Sequence, residues 1–139
     1  MTKEELAAQL DGREYRGEIT REEAATAKSA GLVVVFGASD DLMEFRGAIY
    51  DEFGCYDGGT ALVDANGLLD RSQIDDDDDE AIADFVARKK AAHSIEAVWS
   101  AAGNDAAWTY KTDIPHATFS ILDESDTYCI GIVFSTADL

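Results

Sequence analysis

Five consecutive apolar residues, Leu32-Val33-Val34-Val35-Phe36, closed by Gly37, constrain the fold of this chain more than any other feature. A run this short and this rich in β-branched residues is a strand. With no polar residue alternating along it, both of its faces must be covered. Further elements therefore have to pack on either side of it. The 139 residues suit one domain, spanning 1–139, and 46% of them are apolar, enough to build a core without staples. No internal repeat and no Pro- or Gly-rich linker divides the chain.

The flanking sequence supplies those elements. Thr2-Lys3-Glu4-Glu5 has the form of a capping box and predicts a short helix to about Leu10, ended by Asp11-Gly12. Thr20-Arg21-Glu22-Glu23 repeats the signature and predicts a second helix that stops at Gly31, with acids in its first turn and Lys28 in its last. Ala38 to Asp41 reads as a turn, and Met43 to about Asp51 as a strand with Glu44, Arg46, Ala48 and Tyr50 on one face. A loop over 53–59 leads to a strand at Thr60–Val63, and Asn66-Gly67 turns the chain again.

The run Asp75-Asp76-Asp77-Asp78-Asp79-Glu80 reads as the negatively charged start of a long helix reaching about Ala101, with Ile82, Phe85, Ala92, Ile95 and Trp99 on one stripe. Gly103-Asn104-Asp105 would break it. Trp108–Lys111, Ala117–Leu122 and Tyr128–Phe134 read as strands, the last two joined by a hairpin loop. The order helix, helix, strands, long helix, strands predicts an α+β fold: a largely antiparallel sheet of about five or six strands with helices packed on one face.

Charge is the feature that bears most on function. The chain has 29 acids and 11 bases, a formal net charge of −18. Such a surface repels nucleic acid and anionic membrane and attracts basic proteins and cations. High-salt adaptation would also produce it, since the acids include eighteen Asp while Lys numbers five. The imbalance is concentrated: between Asp40 and Asp84 there are fifteen acids and two bases, Arg46 and Arg71. Carboxylates repeated along a strand or helix face stand about 6–7 Å apart and can imitate a line of phosphates. The ordinary alternative is a solvated face serving solubility. Arg46, among Asp40, Asp41 and Glu44, reads as a structural ion pair that limits repulsion.

Enzyme signatures are thin. Asp113-Ile114-Pro115-His116 suggests an acid–base pair, but no Ser, Cys or second His stands at a spacing that implies a nucleophile and its base, and His93 falls in the predicted long helix. No phosphate-cradling glycine motif is present. Asp64-Ala65-Asn66-Gly67 opens like a calcium loop but continues with Leu68 and Leu69 where a ligand and the turning glycine belong. No cofactor and no dedicated metal site is expected. Cys55 and Cys129 read as free buried thiols, and Trp99 and Trp108 as core. No run approaches the roughly 20 apolar residues of a membrane span, and the acidic start is unlike a signal peptide, so the expected location is the cytoplasm.

From Gly31-Leu-Val-Val-Val-Phe-Gly-Ala-Ser-Asp-Asp-Leu-Met-Glu-Phe-Arg-Gly-Ala-Ile49, through Gly54-Cys-Tyr-Asp-Gly-Gly59, to Thr112-Asp-Ile-Pro-His-Ala-Thr-Phe119, the chain resembles small acidic proteins of unknown function carried by phages and prophages. The resemblance implies an accessory phage product acting in the host cell and supplies no catalytic residue. By analogy of size and charge, such proteins include anti-CRISPR proteins and DNA mimics.

The function expected is a phage-encoded, non-enzymatic inhibitor that binds a basic host protein, a nucleic-acid-binding or CRISPR effector protein, with no direct contact to nucleic acid or membrane. The contact residues expected are Asp40, Asp41, Glu44, Asp51, Glu52, Asp75, Asp76, Asp77, Asp78, Asp79 and Glu80. The alternatives are a regulatory module, compatible with a homodimer, that acts through an apolar surface, and a divalent-cation binder or hydrolase.

Overall fold

The computed structural model describes residues 1–14, 20–35, 60–69, 71–102, 105–122 and 128–139. The strand expected near 43–51, the loop 53–59 and the hairpin loop at 123–126 lie outside the described residues. So do Phe36, Arg46 and Cys55 and the expected contact residues Asp40, Asp41, Glu44, Asp51 and Glu52.

Both capped helices form where their caps predict. Helix α1 spans Lys3–Leu10, and the Thr2 hydroxyl accepts from the Glu5 N–H at 3.1 Å. Gly12, at φ +80°, takes the left-handed conformation that lets the chain leave the helix. Strand β1 is the two-residue Arg13–Glu14. Helix α2 spans Arg21–Ser29 behind a complete capping box: Thr20 Oγ1 accepts from the Glu23 N–H, and Glu23 Oε1 accepts from the Thr20 N–H, both at 3.1 Å. Gly31, at φ +70°, closes it.

Strand β2, Leu32–Val35, is buried at all four positions, as a continuous apolar run requires. The remaining strands are β3 (Thr60–Asp64), β4 (Gly67–Leu68), β5 (His93–Ala102), β6 (Asp105–Thr112), β7 (Ala117–Leu122) and β8 (Tyr128–Ser135). Helix α3, Asp79–Ala91, precedes β5.

The fold is α+β, but the strands do not form the single sheet of five or six expected. They form two antiparallel groups of three, β3-β5-β6 and β7-β8-β2, with β4 and β1 as two-residue flanks. The groups are joined by a short parallel ladder, Ala107 with Tyr128 and Trp108 with Cys129, which makes the hydrogen bonding continuous through eight strands. Strand β8 is the hub. On one edge it holds β7; on the other it holds β6 at its start and β2 at its end.

The long helix expected to reach Ala101 is the larger correction. It ends at Ala91, Ala92 turns to an extended ψ of 149°, and residues 93–102 become the central strand of the first group, paired with β3 on one side and β6 on the other. The stripe Ile82, Phe85, Ala92, Ile95, Trp99 is therefore no helix face. Ile95, Val98 and Trp99 are strand-forming residues, and as a strand they find backbone partners on both edges. Ala102 is the register partner of Asp105, so the described residues on either side of the expected helix end are paired strands; Gly103-Asn104 themselves lie outside the described residues.

The core gathers Leu6 and Leu10 of α1, Ala27 of α2, all of β2, Val63, Ile95, Ile114, Phe119 and residues 132–134. Helix α1 packs on β7 and β8, and α2 on β2. No residue of α3 is buried, and its nearest neighbour in the sheet is β3. Among the described residues no helix is long and apolar enough to cross a membrane.

Candidate acidic interface

The six acids from Asp75 to Glu80 are all exposed, and the chain uses half of them to shape its own backbone. Asp75 Oδ1 accepts from the Asp77 N–H at 3.1 Å, an Asx turn that makes the chain compact enough to start a helix. The Asp78 N–H donates back to the Asp75 carbonyl at 3.0 Å. Asp78 is then the N-cap of α3, its Oδ1 accepting from the Ala81 N–H at 3.0 Å. Asp76 receives Arg71 Nη2 at 2.9 Å while Arg71 Nη1 donates to the Ile74 carbonyl at 3.0 Å. Asp77, Asp79 and Glu80 make no ion pair among the described residues. Asp79 and Glu80 occupy the first turn of α3, and Arg88, Lys89 and Lys90 the last, so both ends complement the helix macrodipole.

One bidentate ion pair anchors α3. Arg88 Nε and Nη2 meet Asp64 Oδ2 and Oδ1, both at 2.7 Å, across 24 residues. The guanidinium holds the Asp64 carboxyl below its usual range, and the carboxylate in turn raises Arg88. Asp64 also accepts from the Asn66 N–H at 2.9 Å, fixing the turn between β3 and β4. The segment that opened like a calcium loop thus spends its first carboxylate on an arginine.

A second fork, Arg13 to Glu23 at 3.0 and 2.7 Å, ties β1 to α2 and lowers Glu23 to about 2. The hydrogen bonds from Arg13 are the main cause, burial opposes them, and the Thr20 N–H adds to them. Neither arginine stood out in the sequence, because each partner is set by tertiary approach rather than by spacing.

The histidines do not pair as Asp113-Ile114-Pro115-His116 suggested. Asp113 Oδ1 accepts from His93 Nδ1 at 3.2 Å, from the start of β5, whereas His116 Nδ1 donates to the Ile114 carbonyl at 2.6 Å. Asp113 and His93 lie 20 residues apart, so the sequence carries no local sign of the contact. Among the described residues no three of His, Cys, Asp and Glu converge as a metal site. A shallow cleft of about 190 Å³ between α1 and α2, lined by Met1, Leu6, Gln9, Glu22, Glu23 and Thr26, falls below the roughly 300–1,000 Å³ of small-molecule sites.

No family model, curated protein or solved structure matches the chain. The described acidic segment presents six exposed carboxylates on a turn and helix start, one of them neutralised by an arginine. All six are exposed, which suits an extended basic surface. Trp99 and Trp108 are register partners across β5 and β6.

Proposed function

We propose that this chain is a binding protein that inserts its acidic surface into the basic groove of a nucleic-acid-binding protein, as a phage-encoded inhibitor of a host defence protein would. One observation carries the reading. The densest run of acids in the chain is exposed, on a turn and the first turn of a helix that has no buried residue. Carboxylates placed there are free to replace phosphates as partners for Lys and Arg. Asp77, Asp79 and Glu80, which make no ion pair among the described residues, offer the partner charge at no structural cost. Asp40, Asp41, Glu44, Asp51 and Glu52, outside the described residues, are proposed as contact residues on their charge alone. The resemblance to small acidic phage proteins supplies the source; the class of target, a CRISPR effector complex first among them, comes from analogy of size and charge with anti-CRISPR proteins and DNA mimics.

The test is competition. The protein should displace DNA from such an effector, and its binding should weaken steeply as salt rises. Replacing Asp77→Asn, Asp79→Asn and Glu80→Gln together keeps the cap, the Asx turn and the Arg71 pair while removing three charges. That variant should lose at least about tenfold in affinity, or about 1.4 kcal/mol. Binding that ignores both salt and the triple substitution would overturn the reading.

A further inference from the structure

Helix α3 carries a second exposed feature, which shares only Asp79 with the acidic surface proposed above. Val86 is 49% exposed, and only Met1 matches it among the large apolar side chains of the described residues. The sheet side of α3 consists of the half-buried Ala81, Ile82, Phe85 and Arg88. On the outward side Asp79, Ala83, Val86 and Lys90 are all exposed, at successive spacings of four, three and four. Those are the spacings of a coiled-coil seam, so the four side chains lie along one stripe. Its middle is apolar and its ends are oppositely charged.

Asp79 and Lys90 stand about 16 Å apart along the helix at 1.5 Å per residue, too far to pair with one another. Neither Lys89 nor Lys90 has an ion-pair partner among the described residues, in a chain whose net charge is −18. The macrodipole accounts for the sign at each end of the helix. It does not account for an exposed valine between them.

We propose that this stripe is a self-complementary surface on which a second copy of the chain packs its own α3 antiparallel. A two-fold axis midway between positions 83 and 86 sets each Val86 against the other copy's Ala83. The same axis sets each Asp79 against the other copy's Lys90, because the two pairs share one midpoint. A parallel arrangement would oppose Asp79 to Asp79 and Lys90 to Lys90, so charge alone selects the antiparallel one. Opposed helix dipoles favour it as well. Four positions per helix bury far less than the roughly 1,200 Å² of a stable interface, and two bodies of charge −18 repel. The dimer is therefore a weak, concentration-dependent one, and it leaves the Asp75–Asp78 segments at opposite ends of the pair.

Sedimentation equilibrium from about 10 μM to about 1 mM tests it. The average mass should climb from monomer towards dimer across that range. Val86→Glu should hold the protein monomeric, and so should Lys90→Glu. Combining Lys90→Glu with Asp79→Lys should restore association, a rescue that general loss of structure cannot produce. Thermal melts of each variant separate loss of contact from loss of fold: the global Tm should hold because no residue of α3 is buried, although reversing Asp79 or Lys90 weakens the macrodipole complement within the helix. A wild-type monomer at about 1 mM, a Val86→Glu variant that still associates, or a failed rescue would overturn the proposal. Val86 and Lys90 lie outside the acidic contact set, so the two single variants leave effector binding intact in the competition assay. Failure of the dimer is thereby distinguishable from failure of that reading; only Asp79→Lys touches both.

Discussion

Placing a methyl group on Gly131 tests how tightly the β7–β8 pair is packed. Gly131 is the register partner of Phe119, whose ring lies over the glycine and is 1% exposed. A Cβ built there would sit 2.3, 2.6 and 2.9 Å from Cζ, Cε1 and Cε2 of that ring. Ordinary carbon contacts need about 3.5–4.0 Å, so the ring or strand must move by about 1 Å. Neither has slack: Phe119 is a stiff aromatic ring in the core, and residues 131–134 of β8 are buried throughout.

Gly131→Ala should therefore cost about 3 kcal/mol, the upper part of the range for overpacking. For a chain of 139 residues that is a fall in Tm of about 10 °C. Urea unfolding followed by tryptophan fluorescence would measure it. Phe119→Leu removes the ring's far edge, so the double variant should cost at least about 1 kcal/mol less than the sum of the two single changes. A Gly131→Ala protein within about 0.5 kcal/mol of the parent, or strict additivity in the double variant, would refute the reasoning.

The two N-caps should respond differently to the same change. Thr20→Ala breaks the capping box on α2, whose Ala27 lies in the core, and should lower global stability by about 1 kcal/mol in urea melts. Asp78→Ala removes the cap of α3, whose sheet side is only half-buried, so it should speed amide exchange within 79–91 and leave the urea midpoint nearly unchanged. Glu23 sets a pH dependence. Its folded value of about 2 lies below the ordinary 4.5, so its contribution is complete above about pH 4.5 and is lost as pH falls through about 2. With about a quarter of each partner still solvated, that contribution is about 1 kcal/mol, and Glu23→Gln should flatten stability across this window by that amount in urea titrations.

Much of the local architecture was legible because its causes are local. The caps at Thr2 and Thr20 and the glycines that end α1 and α2 each act within a few residues and stand where spacing predicts; the reciprocal capping box is complete at Thr20, whereas at Thr2 the structure shows the hydroxyl half of it. Strands β7 and β8 were legible too, since apolar residues bounded by turn formers need no distant partner to be recognised. Of the acidic candidates, Asp75 to Glu80 are exposed as expected. What the sequence did not reveal is that Asp75, Asp76 and Asp78 are already engaged in a turn, an ion pair and a cap.

Residues 92–102 mark where local reasoning ended. Ala91-Ala92 offers no helix breaker, and Ile95 and Trp99 continue a helical spacing from Ile82 and Phe85 as readily as they alternate along a strand. The choice belongs to β3 and β6, which supply backbone partners on both edges of β5 from about 30 residues before it and from just after it. The same holds for the hub role of β8, the parallel join of β6 to β8 and the Arg88–Asp64 fork.

The sequence by itself determined where helices start and stop, which strand must be buried on both faces, and that the surface is strongly negative. Each of these is a property of neighbouring residues or of a sum over all of them. Tertiary structure alone decided that an apolar segment after α3 is a strand, which arginine neutralises which carboxylate, and that α3 stands outside the core. Those outcomes depend on which distant backbone and side-chain groups meet, a free energy that no local pattern encodes.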